Sequence, residues 1–161
     1  MIILLEGPDG SGKSTLAQRI AVGCRNAHIE HFGVPKTDEE AYNYYKVYMA
    51  AIQRHEPGEI VVLDRSWYSD MVYGPVMRGR DEMTQEHADM LAAACVAHGG
   101  GLVIYCTAPV KVLWARCKKR GESYIASEDK LWAIDNQYKI VMSTAVKYLP
   151  VVRYDTAARW L

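Results

Sequence analysis

The chain has 161 residues, of which half are hydrophobic and 24% charged, as expected of one ordinary globular domain with a full core. Nineteen basic and nineteen acidic side chains cancel, so no global field draws the protein onto nucleic acid or an anionic membrane, although a local basic patch stays open. Cys24, Cys95, Cys106 and Cys117 form no C-x-x-C pair and fall inside helix-like or strand-like stretches, which favours reduced, packed thiols over disulfides or a zinc site. The apolar run at the N-terminus is only five residues and no other stretch approaches a membrane span, so the expected location is cytoplasmic. No repeat, low-complexity segment or linker appears, and residues 1–161 are read as a single domain.

Met1 to Leu5 suits a buried parallel strand, and Gly7-Pro8-Asp9-Gly10-Ser11-Gly12-Lys13-Ser14 follows it, fitting G-x-x-x-x-G-K-[ST]. After Thr15, residues Leu16, Ala17, Ile20, Ala21 and Cys24 recur at helical spacing. Strand, glycine loop and helix together are the setting in which this motif binds phosphate. Gly7, Gly10 and Gly12 let the backbone curl so that N–H groups from Asp9 through Thr15, Ser11 included, point at phosphate oxygens. The helix N-terminus adds its positive dipole end, Lys13 reaches the outer phosphates, and Ser14 can ligate Mg²⁺.

Ala27 to Gly33 reads as a second strand ending in His31-Phe32-Gly33, and Asp38 as the cap of a helix to about His55 that buries Ala41, Tyr45, Tyr48, Met49 and Ile52. Ile60-Val61-Val62-Leu63-Asp64 is a third strand ending in an acid, the form of a Walker B carboxylate that can hold Mg²⁺ against nucleotide phosphates. Arg65 beside it can fork onto an acceptor phosphate; a structural ion pair with Asp64 or Glu6 is the alternative. Gly74, Pro75 and Gly79 break the next stretch into loop with short helical pieces, where Tyr73 can stack on a base and Arg78 and Arg80 can contact phosphate or base edges.

A helix from about Thr84 to His98 buries Ala88, Leu91, Ala94 and Cys95 and ends at Gly99-Gly100-Gly101. Leu102 to Cys106 is a fourth strand. Pro109 opens a helix at its first turn and Gly121 closes it; Arg116 and Arg120 share a face and can serve transferred phosphoryl charge, while Lys118 and Lys119 read as solvated. Ser127 caps a long helix with Leu131, Ile134, Tyr138, Val141, Met142 and Ala145 on one side, and Pro150 to Tyr154 is the last strand. Strands alternating with helices predict an α/β fold with helices on both faces of a parallel sheet, whose ligands sit beyond the carboxyl strand ends. That rim collects the glycine loop, His31, Asp64-Arg65, the segment after Cys106 and Asp155. His28, His55, His87 and His98 read as structural or surface.

With these residues in place the chain resembles the nucleoside monophosphate kinases, and thymidylate kinases most. Leu5-Glu6-Gly7-Pro8-Asp9-Gly10-Ser11-Gly12-Lys13-Ser14-Thr15 is close to that family's loop, Asp64-Arg65 stands where its D-R pair follows the third strand, and Ala115 to Glu122 resembles the run into its mobile lid. His31 to Pro35, Asp64 to Ser69 and Val72 to Gly79 look like the short thymidylate-kinase-like proteins of bacteriophages. The resemblance implies a three-layer P-loop fold with strand order 2-3-1-4-5, a short lid over about 117–127, and ATP and Mg²⁺ as cofactors. It implies ATP phosphates on Lys13 and the loop, Mg²⁺ on Ser14, the acceptor's sugar 3′-hydroxyl on Asp9, its phosphate on Arg65, and its base near Tyr73. Arg116 and Arg120 would serve the moving phosphoryl group, and the adenine would rest near Asp155-Thr156-Ala157. His31-Phe32-Gly33-Val34-Pro35 replaces the family's R-E-P-like segment, so part of the phosphate grip falls to Arg78.

The reading is therefore a P-loop kinase that phosphorylates a deoxynucleoside monophosphate, dTMP or a modified pyrimidine first. A kinase acting on DNA, at 5-hydroxymethyluracil or a strand 5′-end, is the first alternative. A nucleotide switch of the small-GTPase kind is the second, and the absence of N-K-x-D speaks against it. A phage-encoded protein would work in the host cytoplasm, and a homodimer is compatible with the sequence.

Overall fold

The computed structural model describes residues 1–81 and 83–158; residues 82 and 159–161 of the domain reading lie outside them. Strands β1 (Ile2–Glu6), β2 (Ala27–His31), β3 (Ile60–Asp64), β4 (Gly101–Thr107) and β5 (Val151–Asp155) form one parallel sheet in the order β2-β3-β1-β4-β5. Helices α1 (Lys13–Gly23), α2 (Asp38–Gln53), α3 (Trp67–Tyr73), α4 (Gln85–Ala97), α5 (Val110–Lys119) and α6 (Glu128–Ala145) surround it. This is the P-loop kinase fold and strand order that the resemblance implied. No helix among the described residues is long and apolar enough to cross a membrane.

Burial follows strand position. All five residues of central β1 are buried: covered on both faces, the strand is apolar from Ile2 to Leu5, and Glu6 at its end is buried with hydrogen-bond partners. Ile3 and Leu5 join Val62 and Ala17 of α1 in a small core; Ile2 and Leu4 join Val61, Leu63, Val103 and the buried faces of α2, α3, α4 and α6 in a large one. The period-two alternation of β1 thus divides its side chains between two cores. Edge strands β2 and β5 bury no residue fully. Pairing of His31 and Leu5 with Asp64, and of Thr107 with Asp155, levels the strand ends into one rim.

The structure corrects several local expectations. Thr37, not Asp38, caps α2: its Oγ1 accepts from Glu40 N at 3.1 Å, while Glu40 reaches back to Lys36 N. Threonine followed three residues later by glutamate makes this a capping-box type of start, and Asp38 becomes a first-turn acid beside the dipole. The buried face of α2 carries Tyr44 and Ala51 beside Ala41, Tyr48 and Ile52, with Tyr45 and Met49 at its margin; both stripes satisfy a 3.6-residue period, and packing selects one. On α4, Ala92 is buried and Ala94 lies at the margin. Pro109 is the cap residue of α5 rather than a member of its first turn, and β2 stops at His31. The stretch after Asp64 is more regular than its glycines suggested: α3 runs on into a π-helical turn, Gly74–Arg78.

Candidate active site

The glycine loop lies wedged between the end of β4 and the body of α5. Gly7 has φ 141°, and a Cβ there would sit 2.2 Å from the Cys106 carbonyl oxygen; at Gly10, φ 80°, it would sit 2.6 Å from that of Leu113. Both positions therefore require glycine on steric and conformational grounds. Lys13 is buried at the start of α1, and its Nζ donates to Gly7 O at 2.7 Å and Pro8 O at 2.9 Å. Burial, followed by the nearby Arg65 charge, pulls the Lys13 pKa down to about 8.

Across the loop, Ser14 Oγ donates to Asp64 Oδ2 at 2.7 Å, and His31 Nδ1 lies 3.2 Å from the same oxygen. Asp64 is 3% exposed, and its other oxygen, Oδ1, is buried without a hydrogen-bond partner. A buried carboxylate oxygen left unsatisfied is a site for a cation or donor. Ser14, His31 and Asp64 are thus brought together.

On the facing side, Arg65 Nη2 donates to Asp9 Oδ1 at 2.5 Å, Tyr73 OH donates to Asp9 Oδ2 at 2.6 Å, and the guanidinium lies 4.8 Å from the Tyr73 ring centre. Burial raises the Asp9 pKa, but Arg65, Lys13 and the Tyr73 hydrogen bond outweigh it, holding the carboxyl below its ordinary value. Burial also keeps the Tyr73 hydroxyl protonated and donating. Arg65 has φ 75°, a left-handed conformation costing a non-glycine residue about 1–2 kcal/mol. Its surroundings hold it there: Arg65 N donates to Leu5 O, and the next residue is bound through Ser66 N and Ser66 Oγ to Glu6 Oε1 at 2.8 and 2.6 Å. Glu6 pairs with Ser66 and not with Arg65, whose ion-pair partner is Asp9.

Two cavities meet at the glycine loop. The first, of about 380 Å³, is walled by the loop, His31, Asp64, Arg65, Tyr73 and Arg78, together with Tyr48, Asp70, Arg120 and Tyr124. The second, of about 390 Å³, lies between α1, α5 and the exit of β5 and is lined by Arg19, Arg116, Lys119, Arg120 and Thr156. Arg120 borders both, with Nη2 2.7 Å from Glu122 Oε2. Arg116 faces only the second: it donates to Gly10 O at 3.1 Å, Thr156 Oγ1 at 2.9 Å and Thr156 O at 2.8 Å, tying the loop to the β5 exit. Asp155 does not line the second cavity as expected. It caps Ala157 N at 2.8 Å and borders a third hollow beside α6, leaving Thr156 and Ala158 at the expected place. Arg78 Nη1 donates to Tyr124 OH at 3.1 Å, and both residues line the first cavity, whereas Arg80 pairs with Asp38.

Sequence reasoning missed Asp70, Tyr48, Tyr124 and Arg19. Asp70 precedes Tyr73 by three residues, so reading that stretch as helix would have put both on one face. Tyr124 stands in a polar loop without periodicity and gave no signal.

Loop, sheet order and rim define a P-loop phosphotransferase. The chain belongs to the polyphosphate kinase 2 (PPK2) family, whose model matches residues 1–93. No curated protein matches it. Among solved structures it is similar to the YorR protein of Bacillus subtilis, determined with phosphorylated GDP, at 24% identity and a TM-score of 0.76 over 98% of this chain and 86% of that one. Deoxyadenosine kinase of M. mycoides with bound dATP aligns at 19% identity and a TM-score of 0.67, over 99% of this chain and 93% of that one. Thymidylate kinase of Candida albicans aligns at 15% and 0.66, over 96% and 84%. At these identities the likeness is one of fold.

Proposed function

We propose that this protein transfers the γ-phosphoryl group of ATP to the phosphate of a deoxynucleoside monophosphate. One observation carries the reading: Lys13, Ser14 and Asp64 face Asp9, Arg65 and Tyr73 across one cavity of about 380 Å³, while a second opens beyond the glycine loop. Triphosphate oxygens would lie on the loop and Lys13, with the adenosine toward Arg116 and Thr156. The acceptor's phosphate would meet Arg65 and its 3′-hydroxyl would donate to Asp9. An acceptor phosphate oxygen then attacks the γ-phosphorus in line, a new P–O bond forms, the bond to the β–γ bridging oxygen breaks, and ADP leaves with that electron pair. Lys13 and Arg120, from the lid segment, would neutralise the spreading charge, and His31 and Arg78 would border the acceptor.

Ser14 Oγ and the unsatisfied Asp64 Oδ1 fit a hard, oxygen-seeking cation such as Mg²⁺. The described residues hold no group of three or more His, Cys, Asp or Glu that could form an all-protein cage, so nucleotide oxygens and water would complete the shell. Bound there, the metal would screen the β- and γ-phosphate charge. A free nucleotide fits better than a base in DNA, because nineteen basic and nineteen acidic side chains cancel and leave no net charge to hold a polyanionic strand. A coupled ADP-release assay over the deoxynucleoside monophosphates tests the proposal; no turnover with any of them would refute it.

A second reading concerns the donor. Arg19, Arg116, Lys119 and Arg120 supply four cationic side chains to the second cavity, and with membership of the PPK2 family this supports inorganic polyphosphate as phosphoryl donor. Supplying polyphosphate in place of ATP, with a nucleotide acceptor, separates the two donors.

A further inference from the structure

We infer that the third hollow, beside α6, is a second ligand site and that it takes a guanine base, independently of the donor and acceptor of the catalytic cavities. Its volume is about 330 Å³. Tyr105 and Thr107 of β4 pair in register with Arg153 and Asp155 of β5, and the two-residue period of the strands turns all four to this side of the sheet. Asp135 and Lys139, one turn apart on α6, line it from above. Tyr154, between Arg153 and Asp155, lines the second cavity instead, so the two hollows lie on opposite faces of β5.

The hollow holds polar groups that the fold leaves unused. Tyr105 is 7% exposed, yet its hydroxyl is buried without a hydrogen-bond partner, and a buried polar atom in that state calls for a ligand or a water. Burial and the Asp135 charge raise its pKa against the opposing effect of Arg153, so the hydroxyl stays protonated and able to donate. Arg153 donates only through Nε, to Thr107 Oγ1 at 3.2 Å, and among the described residues its two Nη groups form an open fork. Asp155 accepts from Ala157 N at 2.8 Å through Oδ1, which leaves Oδ2 open. Asp135 is 6% exposed and pairs with Lys139, whose side chain is 60% exposed; such a pair is a weak cover that opens at little cost.

Arg153 and Lys139 balance Asp135 and Asp155, which disfavours a phosphate or any other simple ion. A neutral ligand with donors and acceptors on neighbouring edges is matched instead, and Ala108, Pro109 and Val110 offer an apolar wall to its flat face. Guanine carries two adjacent acceptors, O6 and N7, next to two adjacent donors, N1–H and the 2-amino group. A guanidinium fork takes the first pair and a carboxylate the second. Arg153 and Asp155 stand two residues apart on one strand face, about 7 Å from Cα to Cα, which sets fork and carboxylate against neighbouring edges of one base. Adenine, cytosine and uracil each lack at least one of the two pairs.

The test is equilibrium binding of guanosine, which has no phosphate to hold the glycine loop, measured by calorimetry beside inosine, 7-deazaguanosine and adenosine. Guanosine should bind. Inosine, without the 2-amino group, and 7-deazaguanosine, without N7, should each bind about tenfold more weakly, and adenosine more weakly again. Arg153→Met and Asp155→Asn should each weaken guanosine by about tenfold or more. Tyr105→Phe deletes only a hydroxyl that has no partner, so its urea midpoint should match the native one while guanosine binding falls about threefold or more. A saturating non-hydrolysable ATP analogue should leave guanosine bound. Absence of guanosine binding, equal affinity for the two analogues, unchanged affinity in the three variants, or displacement by the ATP analogue would each overturn the inference. None of these outcomes touches the phosphoryl-transfer reading, which the monophosphate assay decides alone.

Discussion

Lys13 combines burial with a charge the proposed chemistry needs, and its pKa of about 8 makes that charge depend on pH. The ammonium is present below that value and lost above it. Expected, then, is a kcat/KM for ATP that holds below pH 8 and falls as pH rises through it, because this ratio reports the free enzyme. A flat profile to pH 9.5 would refute the assignment. Asp9 lies in the same loop and is bonded to Arg65 and Tyr73, which on the proposed reading places it toward the acceptor. Asp9→Ala should raise KM for the acceptor by about tenfold or more and KM for ATP far less; equal effects would make it a plain loop residue. The loop motif could be read from sequence because its glycines and lysine are fixed by local geometry. The Asp9–Arg65–Tyr73 contact was not legible: resemblance gave each residue its own part of the acceptor, and Asp64 and Glu6 were the ion-pair partners considered for Arg65, since Arg65 and Tyr73 lie 56 and 64 positions from Asp9 and no local pattern encodes that distance.

At the scale of elements, the stitch between β1 and α3 orients the site. Glu6 is fully buried and accepts from Ser66 N, Ser66 Oγ and Ser69 Oγ, with Tyr138 OH from α6 at 3.3 Å. Burial raises its pKa against the lowering effect of the serine bonds. Glu6→Ala would strand several buried donors, so a loss of about 3 kcal/mol or more is expected in urea unfolding; a loss under 1 kcal/mol would show that water replaces the carboxylate. Strands β1, β3 and β4 were legible as apolar runs, and so were the apolar residues on the buried side of α6, where the structure adds the buried Asp135 that an apolar pattern does not pick out. Helix α3 was obscured because Gly74 and Pro75 follow it directly, and the π-helical turn absorbs those breakers without ending the helical path. Thr37, Thr84 and Ser127 cap their helices through their side-chain oxygens; Ser127 was legible, whereas Thr37 was passed over for its neighbour Asp38, an equally good cap type.

At the scale of the whole molecule, the glycine loop is a partition with a cavity on either side, and the Tyr124–Arg78 hydrogen bond joins two residues that line the first. Breaking that bond should let more water into the cavity: Tyr124→Ala is expected to raise ATP hydrolysis without acceptor by about threefold or more, read as phosphate release, with productive transfer lowered. The overall architecture could be anticipated from the alternation of strands and helices, yet the side from which Asp155 faces the rim could not, because one step along a strand end reverses a side chain's face. The Arg65–Asp9 pair has a consequence for ligand choice. Its guanidinium is already neutralised by an anion of the protein itself, so a newcomer must exchange for a carboxylate instead of filling a bare charge. A phosphate dianion can win that exchange, whereas an uncharged nucleoside brings nothing to offer in return. On the proposed acceptor reading, the resting contact would then turn away neutral look-alikes while admitting a phosphate-bearing nucleotide.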